Sequence, residues 1–215
     1  MMPSSRSVQW LVWGFLLLIV TVIGGAFIRS KTKPVQTIDP ALPVISQLAD
    51  FSLTNQFAQP VSLAQLRGKI CVADIIFTRC PGPCETMTQR MSDLQTALPP
   101  NQPVQLVTLT TDPEFDTPTV LKKYAERFRG QPERWQFLTG TKLQIAGLAI
   151  DGLKLTAIEN RPEERKASDD LFVHSTIFVL VDKQGRLRGA FESLEPDFQA
   201  RILKAIGLLL REKDL

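Results

Sequence analysis

The spacing of apolar residues changes character along the chain. Residues 8–28 are almost wholly apolar, with Gln9 and Thr21 as the clearly polar members. At 1.5 Å of rise per residue such a run reaches roughly 31 Å, enough to cross a bilayer core. Trp10 and Trp13 stand near its start, where indole rings favour the membrane interface. The pattern predicts an uncleaved transmembrane anchor over 8–28 behind a short flank, residues 1–7. A cleaved signal would need a shorter apolar core and a small-residue exit, whereas Gly24-Gly25-Ala26 runs on into Phe27 and Ile28. Residues 29–48 hold Pro34, Pro40 and Pro43 without period and read as an extended tether.

Beyond the tether, strand and helix periods alternate over residues 49–211. Residues 51–54 and 61–63 suggest a lead-in hairpin, and 69–77 a buried β-rich strand. Met87, Met91, Leu94 and Leu98 recur at helical spacing until Pro99-Pro100 ends the helix. A second strand is expected over 104–109. A helix follows from Thr117-Pro118, with Leu121, Tyr124 and Phe128 on one side. A short strand at 135–138 and a short helix at 143–150 come next. Residues 161–166 read as a polar surface insertion. A strand is expected over 172–181, then the turn Asp182-Lys183-Gln184-Gly185 and a return strand at 187–191. Phe198, Ile202, Ala205, Ile206 and Leu209 mark the face of a last helix. The order predicts an α/β fold: a central mixed sheet with helices on both faces.

Charge narrows the range of partners. The 215-residue chain has 25 bases, 22 acids and a net charge of +3. Arg6, Arg29, Lys31 and Lys33 fall in a stretch without acids, which leaves the body nearly neutral and without the basic surface nucleic acid requires. The bases after the apolar run pull mildly toward a cytoplasmic body, although a long domain can override that bias. Three cysteines are too few for a disulfide scaffold, and one histidine, His174, excludes any site that needs two.

Chemistry concentrates at Cys80-Pro81-Gly82-Pro83-Cys84, between a strand and a helix. Thiols at i and i+4 share a helix face, so the two can close a disulfide or hold one soft metal ion. A helix N-terminus favours the thiolate, and the prolines stiffen the loop. The plainer alternative is a structural disulfide or two buried thiols. His174 opens the strand expected over 175–181; it is either a core residue or, beside the cysteine loop, a third ligand. Two thiolates with one imidazole suit copper, whereas zinc usually takes a fourth ligand. Met87, Met91 and Cys71 fit core positions. Asp112-Pro113-Glu114-Phe115-Asp116-Thr117-Pro118 is either a plain turn and cap or places a carboxylate behind the site.

In order along residues 49–211, Asp50-Phe51-Ser52-Leu53-Thr54, Phe77-Thr78-Arg79-Cys80 with Cys84, the Asp112–Pro118 stretch, and His174 with Asp182 and Gly185 resemble the Sco/SenC family. The resemblance implies a thioredoxin-like fold behind one N-terminal transmembrane helix. It implies copper ligation by Cys80, Cys84 and His174, with Asp112 close by. It also implies copper delivery to the dinuclear copper site of cytochrome c oxidase, with that subunit as client and a thiol reductase as a further partner. The body would lie on the periplasmic side of a bacterial inner membrane, against the charge bias. Departures are Glu85, where the family often has proline, Val173 before the histidine, and Ile76 in the lead to the cysteines. The competing function is an extracytoplasmic thiol–disulfide oxidoreductase, with Cys80 attacking and Cys84 resolving. Against it, the spacing is CxxxC, and Ser175 stands before Thr176 where such enzymes carry a cis-proline. A peroxiredoxin would want threonine three residues before its cysteine, and Thr78 is two before Cys80.

Overall fold

The computed structural model describes residues 41–155, 157–159, 172–174 and 176–212, together with Trp13, residues 15–19 and Thr21; strands 157–159 and 172–174 are described in backbone only. The chain divides into two units, Met1–Pro40 and Ala41–Leu215. In the first unit the described residues are helical. Most of the expected anchor lies outside the described residues, and among those described no helix is long and apolar enough to cross a membrane. The polar insertion at 161–166 also lies outside them.

The second unit is built on eight strands in the order β1-β10-β9-β4-β5-β6-β2-β3. The first three are short: β1 (Ser46–Gln47) pairs with β10 (Arg186–Glu192), and β2 (Ser52–Asn55) forms a hairpin with β3 (Pro60–Ser62). At the centre, β4 (Ile70–Ile76) runs parallel to β5 (Val104–Thr110), which runs parallel to β6 (Trp135–Thr139). On the other side of β4, β9 (Ile177–Val181) is antiparallel to both β4 and β10. The sheet is therefore mixed, as the alternating pattern predicts.

Alternation along β4 divides the core in two. Ile70, Val72 and Ile76 face one cluster, packed with Met87, Met91 and Leu94 of helix α2 (Pro83–Ala97). The same cluster takes Leu121 and Tyr124 of α3 (Pro118–Arg127) and Phe198, Ile202 and Ile206 of α5 (Phe198–Arg211). Cys71, Ala73 and Ile75 face a second cluster. It is covered by α1 (Leu63–Leu66), by α4 (Lys142–Ala146) and by a π-helical turn (Gly147–Gly152). The helix expected at 143–150 is thus split: its last part widens into the π-turn, whose Leu148 and Ala149 reach the second core.

One expected element changes identity. The strand expected over 172–181 is two strands. β8 (Phe172–His174) pairs with β7 (Ala157–Glu159) in a separate two-stranded sheet, with His174 opposite Ala157. The main sheet takes up the chain only at Ile177. The apolar run is continuous in sequence, but its pairing partner changes, and pairing is what defines a strand in space.

The turn after β9 matches its sequence signal. Gly185 has φ +79°, and a Cβ there would stand 3.1 Å from Leu63. That position needs glycine for both conformation and space. Before β1, the chain is already bound to this unit, since Arg188 of β10 donates to the carbonyls of Leu42 and Pro43.

Candidate metal centre

β4 and β5 end side by side at the middle of the sheet, and their exits carry the candidate residues. Open α/β sheets place ligands at the carboxyl ends of parallel strands because the chain turns away there and backbone groups become available. After β4, the Cys80 N–H donates to the Phe77 carbonyl at 3.2 Å, closing a tight turn with Thr78 and Arg79 in its middle. Helix α2 then starts at Pro83, which needs no N–H donor at that position, and Cys84 falls in the first turn. Cys80 therefore lies outside the helix. The thiols meet through the turn and not, as the i,i+4 spacing suggests, on one helix face.

They do meet. Cys80 and Cys84 are linked by a side-chain hydrogen bond, and the Cys84 sulfur also takes a backbone hydrogen bond at Phe77. Neither is part of a disulfide. Cys84 is fully buried in the first core, and Cys80 packs on its edge, half-buried. The Cys84 thiol is pushed well above its usual range, first by the bond to Cys80 and then by burial, against the bond at Phe77. The helix N-terminus thus does not make Cys84 a ready thiolate here; a bound cation or an oxidation step would have to remove its proton. Cys71 is on the opposite face of β4, buried in the second core, with its thiol raised to about 12 by burial. Met87 and Met91 are wholly buried core residues.

The loop after β5 leans on the cysteine turn. Arg79 Nη2 donates to Asp112 Oδ2 at 2.5 Å, and the Arg79 guanidinium lies 4.0 Å from the ring centroid of Phe115. Asp112 is buried while Arg79 is half-exposed. Of the two sequence alternatives for this stretch, the cap of α3 belongs to Thr117, whose hydroxyl accepts from the Val120 N–H. Asp112 instead sits behind the cysteine turn through Arg79. Asp116 is fully buried and accepts from Thr78 and Thr110. His174 ends β8, and its imidazole lies outside the described side chains. Among the described residues no cluster of three or more His, Cys, Asp or Glu side chains forms a metal site. The pair of sulfurs fits a soft ion in donor chemistry.

Sequence reasoning missed Asp74. It lies on β4 beside Thr108 of β5, on the first-core face by alternation, with no exposure. Thr108 relieves it only partly, and neither carboxylate oxygen makes a well-formed hydrogen bond among the described residues. Burial raises its carboxyl to about 7, and its charge in turn disfavours ionisation of Cys84 and Tyr124. The available signal was one acid inside the otherwise apolar run from Ile70 to Phe77.

Many solved structures resemble this chain in fold. A protein called SCO1 protein homolog from Bacillus subtilis (strain 168) is 31% identical over 192 residues, covering 88% of this chain and 90% of that protein. The solved structure of BsSco, described as a member of the Sco family of cytochrome c oxidase assembly proteins, superposes with TM-score 0.68 at 28% identity. It covers 81% of this chain and all of that one. The structure of Bradyrhizobium japonicum ScoI with copper bound gives TM-score 0.61 at 28% identity, over 73% of this chain and 96% of that one. These likenesses make the fold the mixed α/β, thioredoxin-like fold of Sco proteins. The SCO1/SenC family model matches residues 44–209, from β1 to the last helix, and the chain belongs to that family.

Proposed function

We propose that this protein is a membrane-anchored copper metallochaperone that carries one copper ion on Cys80, Cys84 and His174 and delivers it to the dinuclear copper site of cytochrome c oxidase. The observation that carries the reading is the contact between the Cys80 and Cys84 thiols at the exit of the central strand. The copper-bound ScoI of Bradyrhizobium japonicum and the assembly role stated for BsSco support it. Copper is the cargo. On loading, each thiol gives up its proton as its sulfur takes the ion, so Cu(I) on two thiolates leaves a site charge of about −1. Release then favours a partner that offers more soft ligands. Asp112 supports the site from behind by holding Arg79. Residues 8–28 anchor the chain in a bacterial inner membrane, residues 29–40 tether it up to the start of the folded unit at Ala41, and that unit works on the periplasmic side.

A second reading has its own support: the same pair acts as a thiol–disulfide oxidoreductase, passing electrons to a client's cysteines. Two thiols already in contact need little movement to close a disulfide, and a disulfide switch is described for BsSco. Titrating the reduced full chain in detergent, without oxygen, with Cu(I) and separately with Zn(II) decides between them. The chaperone reading expects about one copper per chain held against a competing chelator. Preferential zinc binding, or no metal retention together with rapid reduction of a client disulfide, overturns it.

A further inference from the structure

The turn that presents Cys80 is Phe77-Thr78-Arg79-Cys80, and both of its middle residues are held from the neighbouring loop. Arg79 is held at the rim by Asp112. Thr78 is held in the interior, where its N–H donates to Asp116 Oδ2 at 3.1 Å and its hydroxyl donates to Asp116 Oδ1. The Thr110 hydroxyl donates to the same carboxylate at 2.5 Å and accepts from the Asp112 N–H at 3.0 Å. The backbone ladder between β4 and β5 ends one step earlier, where the Thr111 N–H donates to the Ile76 carbonyl at 2.8 Å. Asp116 thus continues by side chain the link that the backbones give up as they diverge.

We propose that Asp116 is a positioning residue for the dithiol: by gripping both polar groups of Thr78 it sets where Cys80 stands relative to Cys84. Two features favour this over a purely architectural role. First, the carboxylate is fully buried, and the three groups that donate to it are all uncharged. Burying a charge on such terms is costly, and burial together with the nearby Asp112 pushes its carboxyl upward against those bonds. Second, the shape of the grip needs a carboxylate. Thr78 presents an N–H and an O–H to two different oxygens, and an asparagine would offer one oxygen and turn an N–H₂ group toward a donor. The holder is itself braced, because the Phe115 and Asp116 N–H groups both donate to the Asp112 carbonyl.

The inference rests on Cys80 and Cys84 being the working pair, but its test does not depend on copper. The metal-free full chain is equilibrated in glutathione buffers to obtain the Cys80–Cys84 thiol–disulfide equilibrium constant. The rate of iodoacetamide alkylation at Cys80 and the thermal midpoint are measured alongside. The variants are Thr78→Val, Thr78→Ser and Asp116→Asn. A loosened turn lowers the effective concentration of one thiol at the other. Thr78→Val is expected to weaken the disulfide roughly tenfold, about 30 mV for a two-electron couple, and to raise Cys80 alkylation. Thr78→Ser, which keeps the hydroxyl, should match wild type. Asp116→Asn should follow Thr78→Val; should it fail to fold, Thr78→Val and its serine control carry the test. An unchanged constant in Thr78→Val, whatever its midpoint, overturns the inference. A wild-type chain that forms no disulfide and retains no copper overturns the underlying assignment of the pair as well.

Discussion

Arg79 and Asp112 form an ion pair of unequal members: at 2.5 Å, the acid is 8% exposed and the base 45% exposed. The two deletions should therefore differ. Removing Asp112 leaves a guanidinium that water can reach and that still lies on Phe115, so Asp112→Asn should cost less than about 1 kcal/mol. Removing Arg79 leaves a buried carboxylate with its main donor gone, so Arg79→Ala should cost roughly 1–3 kcal/mol. Urea unfolding of both variants checks the order. Equal losses would mean that water reaches Asp112 as easily as Arg79.

Asp74 gives the fold a pH dependence. Its carboxyl is raised from 3.8 to about 7 in the folded state, chiefly by burial. Between about pH 4 and pH 7 the folded protein keeps a proton that the unfolded chain has already released. Stability contributed by this group is full below the unfolded value, falls as pH rises across that window, and is level above it. Asp74→Asn keeps the shape and removes the charge. It should raise stability at pH 8, by up to roughly 4 kcal/mol, and change it little at pH 4. Unfolding curves at the two pH values test this; a gain that is the same at both would place the effect in packing.

Much of the scaffold could be read from the chain, and the parts that could not have a common cause. Buried strands and amphipathic helices announce themselves through apolar period. For this reason β4, β5, α2 and α5 lie where the pattern puts them, and Pro118 and Gly185 mark the boundaries expected of them. The CxxxC pair was legible because cysteine is scarce in this sequence. Features that depend on partners distant in sequence were not. A strand break after His174 is invisible in an unbroken apolar run, because it comes from a change of pairing partner. The grip of Asp116 on Thr78 joins residues 38 positions apart. Asp74 reads as one stray acid until the sheet closes around it.

Arg188 ties the start of the folded unit to its end. It is almost wholly buried and donates to the carbonyls of Leu42 and Pro43, to Asp182 and to Glu212. Arg188→Ala would leave two backbone carbonyls and a buried carboxylate short of donors, and should cost on the order of 3 kcal/mol. Arg188→Lys should recover little, because one ammonium cannot cover the positions of the guanidinium fork. The local consequence is more specific than the global one. With its grip on Leu42 and Pro43 lost, the segment before β1 depends on the short pairing of β1 with β10 and on the side-chain bonds of Ser46 to Gly152 and of Gln47 to Gly185. Limited proteolysis should then cut within residues 41–47 several-fold faster, at denaturant concentrations where the rest of the unit stays folded. Unchanged cleavage there would show that β1 holds this segment without Arg188.

His174 separates the two functions proposed for the cysteine pair. A metal site built on two thiolates and an imidazole loses a ligand in His174→Ala, and copper should be retained at least tenfold more weakly against a chelator. A disulfide needs only the two sulfurs, so the same variant should still oxidise between Cys80 and Cys84 with a near-normal equilibrium constant. Because His174 ends a strand of the two-stranded sheet and not one of the main sheet, its replacement should leave the thermal midpoint almost unchanged. Copper retention equal to wild type would return His174 to a packing role and leave the ion to the sulfurs alone. Loss of the disulfide along with the copper would mean that the histidine shapes the cysteine turn itself, and the variant's thermal midpoint would then fall with both.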